Sequence, residues 1–438
     1  MRFMAQLEEK PPKTDAFWLF MIGCFSLTQL KFGAKIGISE LAMVLAAPAL
    51  YFRNLRYYRQ DGMLPMLSLL FLWCIGAAFA DWYNESVLFQ WMRGVSVPLI
   101  VFATVVCLHN FLRRDIRNYK WILLGLVCSQ VISIFVFQRG GAGDMAAEGD
   151  IAGAVEKVVG YKLFWVNMIQ GWTLLPIQTL YMKTPFPYMI GALLLNGFMA
   201  AKSGGRSAFL IVMASLTLIA FARRKVRLMI VIKNHLILIV CILAVCGYLV
   251  KLGYQYAAMH GILEEEEVRK YERQTSEGDS ALKMLMAGRA HFFIGAIAAL
   301  DKPIIGHGSW AIDDHGYSID FLDKYGSELD RNMIMTERME LGMAIIPSHS
   351  HIVCYWLWHG IFGFAFWAYI IFLAGRTFAR YMHVVPEMFG YWAIMLPYFF
   401  WHVLFSPFGL RTEECVLFVC MVLLHKIARQ EGMMTWRA

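Results

Sequence analysis

Two histidines in the segment Pro347–His351 are the side chains of this sequence best suited to move a proton. His349 and His351 follow a proline, which cannot extend a helix backwards, and lead directly into an apolar run. An imidazole titrates near neutral pH, so either ring can act as a general base for a hydroxyl group within reach. The H-x-H spacing also suits a zinc pair, but no third ligand lies nearby in the sequence. We interpret the segment as a candidate acid–base site where a helix meets water.

Two arginines have the surroundings of an anion-binding group. Arg206 follows Gly204 and Gly205, which let the backbone approach a ligand closely. Arg289 lies within residues 280–300, a stretch with helical periodicity. A guanidinium group offers a planar fork of donors that matches phosphate oxygens. The pattern therefore favours a diphosphate clamp made of Arg206 and Arg289, and the alternative for Arg206 is a headgroup contact at a helix end.

Arg93 lies roughly two turns inside an apolar run, and a charge at that depth is costly. We expect it to face a cavity, a counter-ion or a bound anion, with snorkelling to the interface as the alternative. The further candidates for substrate binding are His351, Gly205 and Arg411.

The composition places these residues in a membrane protein. The chain has 438 residues, of which 59% are hydrophobic and 16% charged, and its mean hydropathy is +0.52. The net charge of +8 does not indicate nucleic acid, because the basic residues lie between apolar segments, as orientation in a membrane requires. The nine cysteines lie in or beside apolar runs and are interpreted as small buried hydrophobic residues. We predict a single integral membrane domain over residues 1–438.

The predicted fold class is all-α, a polytopic bundle of about 12 transmembrane helices. Between spans 9 and 10 we predict a helical periplasmic cap, the large loop 251–347. The apolar runs that are long enough to cross, or nearly cross, a hydrocarbon core of about 30 Å are Ala16–Leu30, Ile36–Tyr51, Leu64–Ala80, Val87–Phe111, Trp121–Phe137, Tyr161–Met182, Pro187–Ala201, Ser207–Ala222, Leu228–Val250, Ile352–Gly375, Met388–Phe405 and Cys415–Ile427.

The short loops predict the orientation of these spans. Basic clusters at 113–120 and 223–227 fall on one side, which is therefore expected to be cytoplasmic together with both termini. Arg206, Arg289 and His349 then lie at the outer ends of their elements. Topology alone, and no sequence spacing, is expected to bring the three together at the outer face.

The residues around His349 also carry a family resemblance. His349-Ser350, nine further residues and Gly360-Ile-Phe-Gly363 resemble the H-[NSQ]-x9-G-x-x-G pattern of the O-antigen ligases. The order of Gly-Arg-Ser at 205–207, Gly-Arg at 288–289 and the turn Pro-Ile-Ile-Gly-His-Gly at 303–308 is similar to the wider O-antigen ligase and polymerase superfamily. In motif order the resemblance covers about residues 190–375.

The resemblance implies a glycosyltransferase of the bacterial inner membrane with its active site at the periplasmic face. The implied donor is an undecaprenyl-diphosphate-linked glycan, and the acceptor is a saccharide or a lipid-linked saccharide. Transfer would invert the anomeric centre without a metal or another cofactor, with Arg206 and Arg289 on the diphosphate and His349 as the base. We expect no nucleic acid among the partners, but membrane lipid.

The acceptor and the class of activity remain open at this point. The H-[NSQ]-x9-G-x-x-G likeness favours a ligase that uses a lipid A–core acceptor. A Wzy-type polymerase of O-antigen or exopolysaccharide repeat units is the alternative within the enzymes. From another class, the chain could be a transporter or flippase with intramembrane charges along a pathway, although its halves show no internal repeat.

Overall fold

The computed structural model describes residues 13–430, apart from 27, 33, 136–168, 203–205, 224–251, 253–254, 257–259, 261–267, 269–288, 326–344 and 406–410. The described part is helical, with one small β-hairpin. Its helices are α1 (Lys13–Cys24), α2 (Ile38–Asp61), α3 (Leu64–Tyr83), α4 (Leu88–Leu112), α5 (Tyr119–Phe135), α6 (169–179), α7 (Phe186–Lys202), α8 (Arg206–Arg223), α9 (Ala290–Asp301), α10 (Tyr317–Tyr325), α11 (His351–Arg376), α12 (Phe389–Phe405) and α13 (Arg411–Gln430).

Four helical stretches among the described residues are long and apolar enough to cross a membrane. They are Leu64–Tyr83, Leu88–Leu112, His351–Tyr381 and Pro386–Phe405. They confirm the prediction of a helical membrane protein, while the number of 12 spans stays a prediction. The predicted ninth span, Leu228–Val250, and much of the predicted cap lie outside the described residues.

A β-hairpin and an isolated antiparallel bridge between Ile312 and Ile345 depart from the predicted all-helical chain. Strands β1 (Gln29–Phe32) and β2 (Ala34–Gly37) pair antiparallel, with Leu30 opposite Ile36. The predicted first span ran to Leu30, but α1 ends at Cys24, where a turn follows and the Ser26 amide and hydroxyl both donate to the Gly23 carbonyl. The Glu40 carboxylate then accepts a hydrogen bond from the Gly37 backbone (3.0 Å) at the start of α2.

A buried carboxylate joins three helices at one end of the bundle. Asp61, the last residue of α2, is 4% exposed. It lies 2.7 Å from Lys426 Nζ on α13 and 2.9 Å from His109 Nε2 on α4, with Arg113 Nε at 3.6 Å. Removal of one partner would leave a buried charge uncompensated, so the cluster keeps α2, α4 and α13 in register. We call this the Asp61 end, and the opposite end of the bundle the far end.

Helix α11 is broken at Gly360 and folds back on itself. Gly360 has φ 59° and ψ −145°, outside the helical region. The rings of His351 and Trp367 stack with centroids 4.7 Å apart, and those of Trp356 and Phe364 lie 5.0 Å apart. In a straight helix the first pair would be about 24 Å apart and the second about 12 Å. The predicted tenth span, Ile352–Gly375, is therefore two packed segments, a short arm (351–359) and a long arm (361–376).

The backbone groups freed at this break bind the turn that follows α9. The amides of His307 and Gly308 donate to the carbonyls of Leu357 (2.7 Å) and Trp358 (3.0 Å). In return the Ile361 amide donates to the Ile304 carbonyl (3.0 Å). The turn 303–308 thus replaces the helical hydrogen bonds that the break removes, as buried backbone groups require.

The lengths of α3 and α13 indicate where the fold-back lies along the bundle. Trp73 on α3 and Glu414 on α13 each lie about 12 residues, or about 18 Å, from the Asp61–Lys426 pair. Trp73 contacts the fold-back through Phe366 (5.1 Å), and Glu414 contacts it through His351 (3.2 Å). The fold-back therefore lies beside the middle of α3, where Trp73 also contacts His359, and against the first turn of α13.

We predict that Gly360→Ala destabilises the folded protein by at least about 2 kcal/mol. An alanine would hold a positive φ, and its Cβ would collide with the Ile304 carbonyl oxygen. Thermal unfolding in detergent measures the effect. Gly375→Ala on the same helix is the matched control, because its Cβ would meet nothing within 4 Å. Equal melting temperatures for the two variants would contradict the role given to Gly360.

Candidate active site

The turn before α11 is held by Ser350. Its hydroxyl accepts a hydrogen bond from the Val353 amide (3.3 Å), which caps the helix, and donates to the Val403 carbonyl near the end of α12 (2.8 Å). Ser350 is fully buried, whereas the neighbouring His349 is exposed. The sequence Pro-Ser-His-Ser-His thus anchors one side chain and presents the next to solvent.

Arg289 and His349 meet at this turn. Arg289 is the N-cap residue of α9, and its guanidinium carbon lies over the rings of Trp401 (4.9 Å) and Phe405 (5.1 Å). Two residues further, His291 contacts the His349 ring, with nitrogens 3.3 Å and centroids 4.4 Å apart. Two imidazoles and a guanidinium therefore lie together at the N-terminus of α9. We use the word recess for this place, which is formed by Arg289, His291 and His349.

The close approach of α9 to this turn depends on a glycine. A Cβ placed on Gly295 would lie 2.9 Å from Ser348 Cβ and 3.1 Å from the Pro347 carbonyl oxygen. Only a residue without a side chain lets the helix and the turn pack at this distance, and this packing brings Arg289 to His349.

The surroundings of His349 favour its neutral form. Partial burial lowers the pKa of its imidazole, the positive charge of Arg289 lowers it further, and a hydrogen bond with the Ser348 backbone opposes both effects. Burial also lowers the pKa of Arg289 from that of a free guanidinium, which nevertheless stays charged at neutral pH. A neutral imidazole beside a fixed cation can accept a proton while the cation binds an anion.

His351 differs from His349 although it belongs to the same turn. It is 5% exposed, stacks flat on Trp367, and has its Nε2 atom 3.2 Å from the Glu414 carboxylate. His402 on α12 lies close enough to Glu414 and His351 for electrostatic interaction with both. The buried ring of His351 is much less accessible to an acceptor molecule than the ring of His349.

Arg93 lies at the other end of the short arm. Its guanidinium carbon is 4.8 Å from the Phe89 ring and 5.0 Å from the Trp310 ring. Trp310 in turn stacks on Trp358 with centroids 4.5 Å apart. Since Trp358 is seven residues beyond His351, Arg93 is separated from the histidine turn by about 10 Å along the arm.

The structure leaves three of the sequence candidates without a described side chain. Arg206 is the first residue of α8 and Arg411 the first residue of α13, but only their backbone is described. Gly205 lies outside the described residues. Their assignment to substrate binding or catalysis stays a prediction.

Sequence reasoning missed His291, Glu414 and His402. His291 could have been noticed as an imidazole two residues after Arg289 on a predicted helix. Glu413 and Glu414 are adjacent acids directly before an apolar run, where ionisable residues are costly and commonly functional. His402 carries no local signal, because a single histidine in an aromatic helix is usually a packing residue.

A second polar cluster joins the turn after α9 to α3 and to the end of the short arm at His359. Trp73 Nε1 donates to His359 Nδ1 (2.8 Å), and Ser309 Oγ lies 2.9 Å from His359 Nε2 and 2.8 Å from Asp81 Oδ2. Indole nitrogen only donates, so Nδ1 of His359 has no proton and Nε2 carries it. Ser309 thus accepts from His359 and donates to Asp81.

This arrangement contains a serine, a histidine and an aspartate, but it cannot activate a nucleophile. The His359 ring has no lone pair left to take the Ser309 proton, and Ser309 is 1% exposed. Its geometry is that of a buried, fully paired network that fixes the turn. Among the described residues, no group of three or more histidine, cysteine, aspartate or glutamate side chains could hold a metal ion.

The long apolar helices and the histidine–arginine recess define a polytopic membrane protein with a polar site at one end of its bundle. Residues 191–368 match the family model described as O-antigen ligase, so this part of the chain is similar to the O-antigen ligases. The matched residues include Arg289, the turn 303–308, His349 and the break at Gly360. Neither a curated protein nor a solved structure matches the chain. The resemblance inferred from the sequence motifs is thus confirmed.

We predict that Ser309→Ala lowers the stability of the fold by about 1–3 kcal/mol, because it leaves buried groups of Asp81 and His359 without their partner. Thermal unfolding in detergent measures this loss. Thr217→Ala is the control, since its exposed hydroxyl bonds only the Met213 carbonyl of its own helix. A Ser309→Ala protein as stable as the control would show that the cluster does not hold the turn.

Proposed function

We propose that this protein is a membrane glycosyltransferase that moves a polyprenyl-diphosphate-linked glycan to an acceptor hydroxyl group. The observation that carries the proposal is the meeting of Arg289 with an exposed His349 within the O-antigen ligase match. An O-antigen ligase-type activity, with lipid A–core as acceptor, is the form we favour. The active site would then face the periplasm, with both termini in the cytoplasm of a bacterial inner membrane.

The reaction step is a single displacement at the anomeric carbon. His349 takes the proton of the acceptor hydroxyl, whose oxygen forms the new bond to C1. The bond between C1 and the diphosphate oxygen breaks, and its electron pair leaves with the polyprenyl diphosphate. Attack from the face opposite the leaving group inverts the anomeric centre.

Arginine side chains supply the charge stabilisation in this proposal. Negative charge grows on the diphosphate as the C1–O bond breaks, and preorganised donors at that place lower the barrier. Arg289 is held by two aromatic rings beside His349, so its position does not depend on the ligand. We assign Arg206 and Arg289 to the diphosphate, with Arg93 as a third candidate for it, and Gly205 and Arg411 to substrate binding.

The structure also supports a choice between the two histidines. The base must reach a hydroxyl group of an incoming acceptor, and His349 is exposed whereas His351 is buried against Trp367. We therefore propose His349 as the base and His351 as part of its support.

We predict that His349→Ala abolishes transfer, because it removes the imidazole proposed to accept the hydroxyl proton. Purified protein in detergent or liposomes, a lipid-diphosphate-linked glycan and an acceptor make up the assay. His383→Ala is the matched control, an exposed histidine near the start of α12, away from the recess. Folded His349→Ala protein that still transfers at the control rate would remove the proposed function of this residue.

The same assay separates the alternatives. A single addition of a finished chain to lipid A–core indicates a ligase, and stepwise growth of lipid-linked chains indicates a polymerase. Movement of the lipid-linked glycan across liposomes without consumption of the donor would indicate a transporter or flippase.

We predict that kcat/KM for transfer falls at acid pH with a midpoint below the ordinary histidine value of about 6.5. Only neutral His349 can act as a base, so activity is present above its lowered pKa and is lost as the pH falls through it. Rates of transfer measured from about pH 4.5 to about pH 8.5, two units on either side of the ordinary histidine value, would locate the midpoint.

Two substitutions of Arg289 test the source of that shift and its role in binding. Arg289→Lys keeps the positive charge but loses the bidentate fork, so we expect a loss of about 10- to 100-fold in kcat/KM with the midpoint unchanged. Arg289→Gln also removes the charge, so the residual activity should titrate at a higher pH than in Arg289→Lys. Unchanged kinetics for Arg289→Lys would argue for a structural arginine.

A further inference from the structure

The first turn of α13 brings a carboxylate to the wall of the recess. Glu413 and Glu414 both lie there, and the Glu414 Oε1 atom is 3.2 Å from the Nε2 atom of His351. The Glu414 side chain is 16% exposed and that of His351 is 6% exposed. Both groups are largely removed from water, so a change in one of them alters the surroundings of the other.

Among the described residues, the contact with Glu414 is the main polar contact of the His351 ring. Its two ring nitrogens are buried, and neither makes a well-formed hydrogen bond with a described residue. Its ring faces are covered by Trp367 at 4.7 Å and by Tyr355 at 6.1 Å. Aromatic packing fixes the plane of the ring, and Glu414 is the charged group that fixes the direction of its Nε2 atom.

His351 is also one of two anchors of the turn that carries His349. Ser350 fastens the turn to α12 through the Val403 carbonyl, and His351 fastens it to α13 through Glu414. His349 itself is exposed and contacts His291 through its ring, while its two neighbours in the sequence fasten the backbone of the turn. A shift of either anchor moves the exposed imidazole relative to Arg289.

We propose that Glu414 is a positioning residue of this site, which acts through His351 to hold the His349 turn in the geometry needed for proton transfer. The proposal rests on the function proposed above for His349. Glu414 does not touch the reacting atoms, and its effect is limited to the placement of the base. Small misplacements of a catalytic group cost about 100-fold in rate, so the effect is expected to be measurable.

The test compares Glu414→Gln with Glu414→Asp and Glu413→Gln in the purified full chain. Glu414→Gln keeps the shape and loses the charge, and we expect a fall of about 10- to 100-fold in kcat with little change in KM for the lipid-linked donor. Glu414→Asp retains a carboxylate and should recover most of the loss. Glu413→Gln changes the neighbouring acid, for which the structure shows no contact with His351, and should leave the kinetics at the wild-type level. Melting temperatures in detergent identify a variant that has merely unfolded.

A double substitution tests whether Glu414 acts through His351. If it does, His351→Gln combined with Glu414→Gln is no slower than His351→Gln alone. Additive losses, or a Glu414→Gln effect confined to KM, would overturn the proposal, because they place Glu414 on the substrate or on an independent contact. Wild-type kinetics for Glu414→Gln would overturn it as well.

The two proposals fail in different ways. An active His349→Ala protein removes the proposed base, whatever Glu414 does. An inactive His349→Ala protein with a fully active Glu414→Gln protein leaves the base in place and removes only the positioning role.

Discussion

The break in α11 at Gly360 is the constraint on which the rest of the site depends. A helix that reverses direction within a bundle must satisfy the backbone groups that its own turns no longer bind. The turn after α9 supplies them, because the amides of His307 and Gly308 and the carbonyl of Ile304 replace the missing helical partners. The fold-back and the turn can therefore form only together, and α9 is placed as a consequence.

That placement accounts for the chemistry at the other end of the short arm. Since α9 runs from Arg289 at the recess to the turn at Gly360, fixing its C-terminal end aims its N-terminal end at His349. Gly295 lets the helix approach the Pro347 carbonyl and the Ser348 side chain, and the Asp81–Ser309–His359 network holds the turn in place. The Arg289 guanidinium and the His349 imidazole are thus positioned by rigid elements, which is the arrangement that the proposed catalysis requires.

The polar groups of the molecule fall into clusters with different roles. Asp61 with its three basic partners, and Ser309 between Asp81 and His359, are buried and paired, and they hold helices together. The recess differs because it combines the half-buried Arg289 with an exposed imidazole. This difference in exposure supports the proposal that Arg289 and His349 act on a substrate.

Much of this could be read from the residues before any coordinates. Composition and apolar runs determined the helical membrane class, because few structures other than helices can cross a bilayer. The spacing from His349 to Gly363 indicated the resemblance to O-antigen ligases, which the match over residues 191–368 supports. The motif also contained Gly360, but its glycine could not reveal a reversal of the helix, since glycine in an apolar run is compatible with a straight span. Only the tertiary structure showed that His351 is buried on Trp367 while His349 stays exposed. It also showed that Glu414, about 65 residues further along the chain, contacts His351. Burial and pairing of this kind depend on which helices meet, and no local pattern records that.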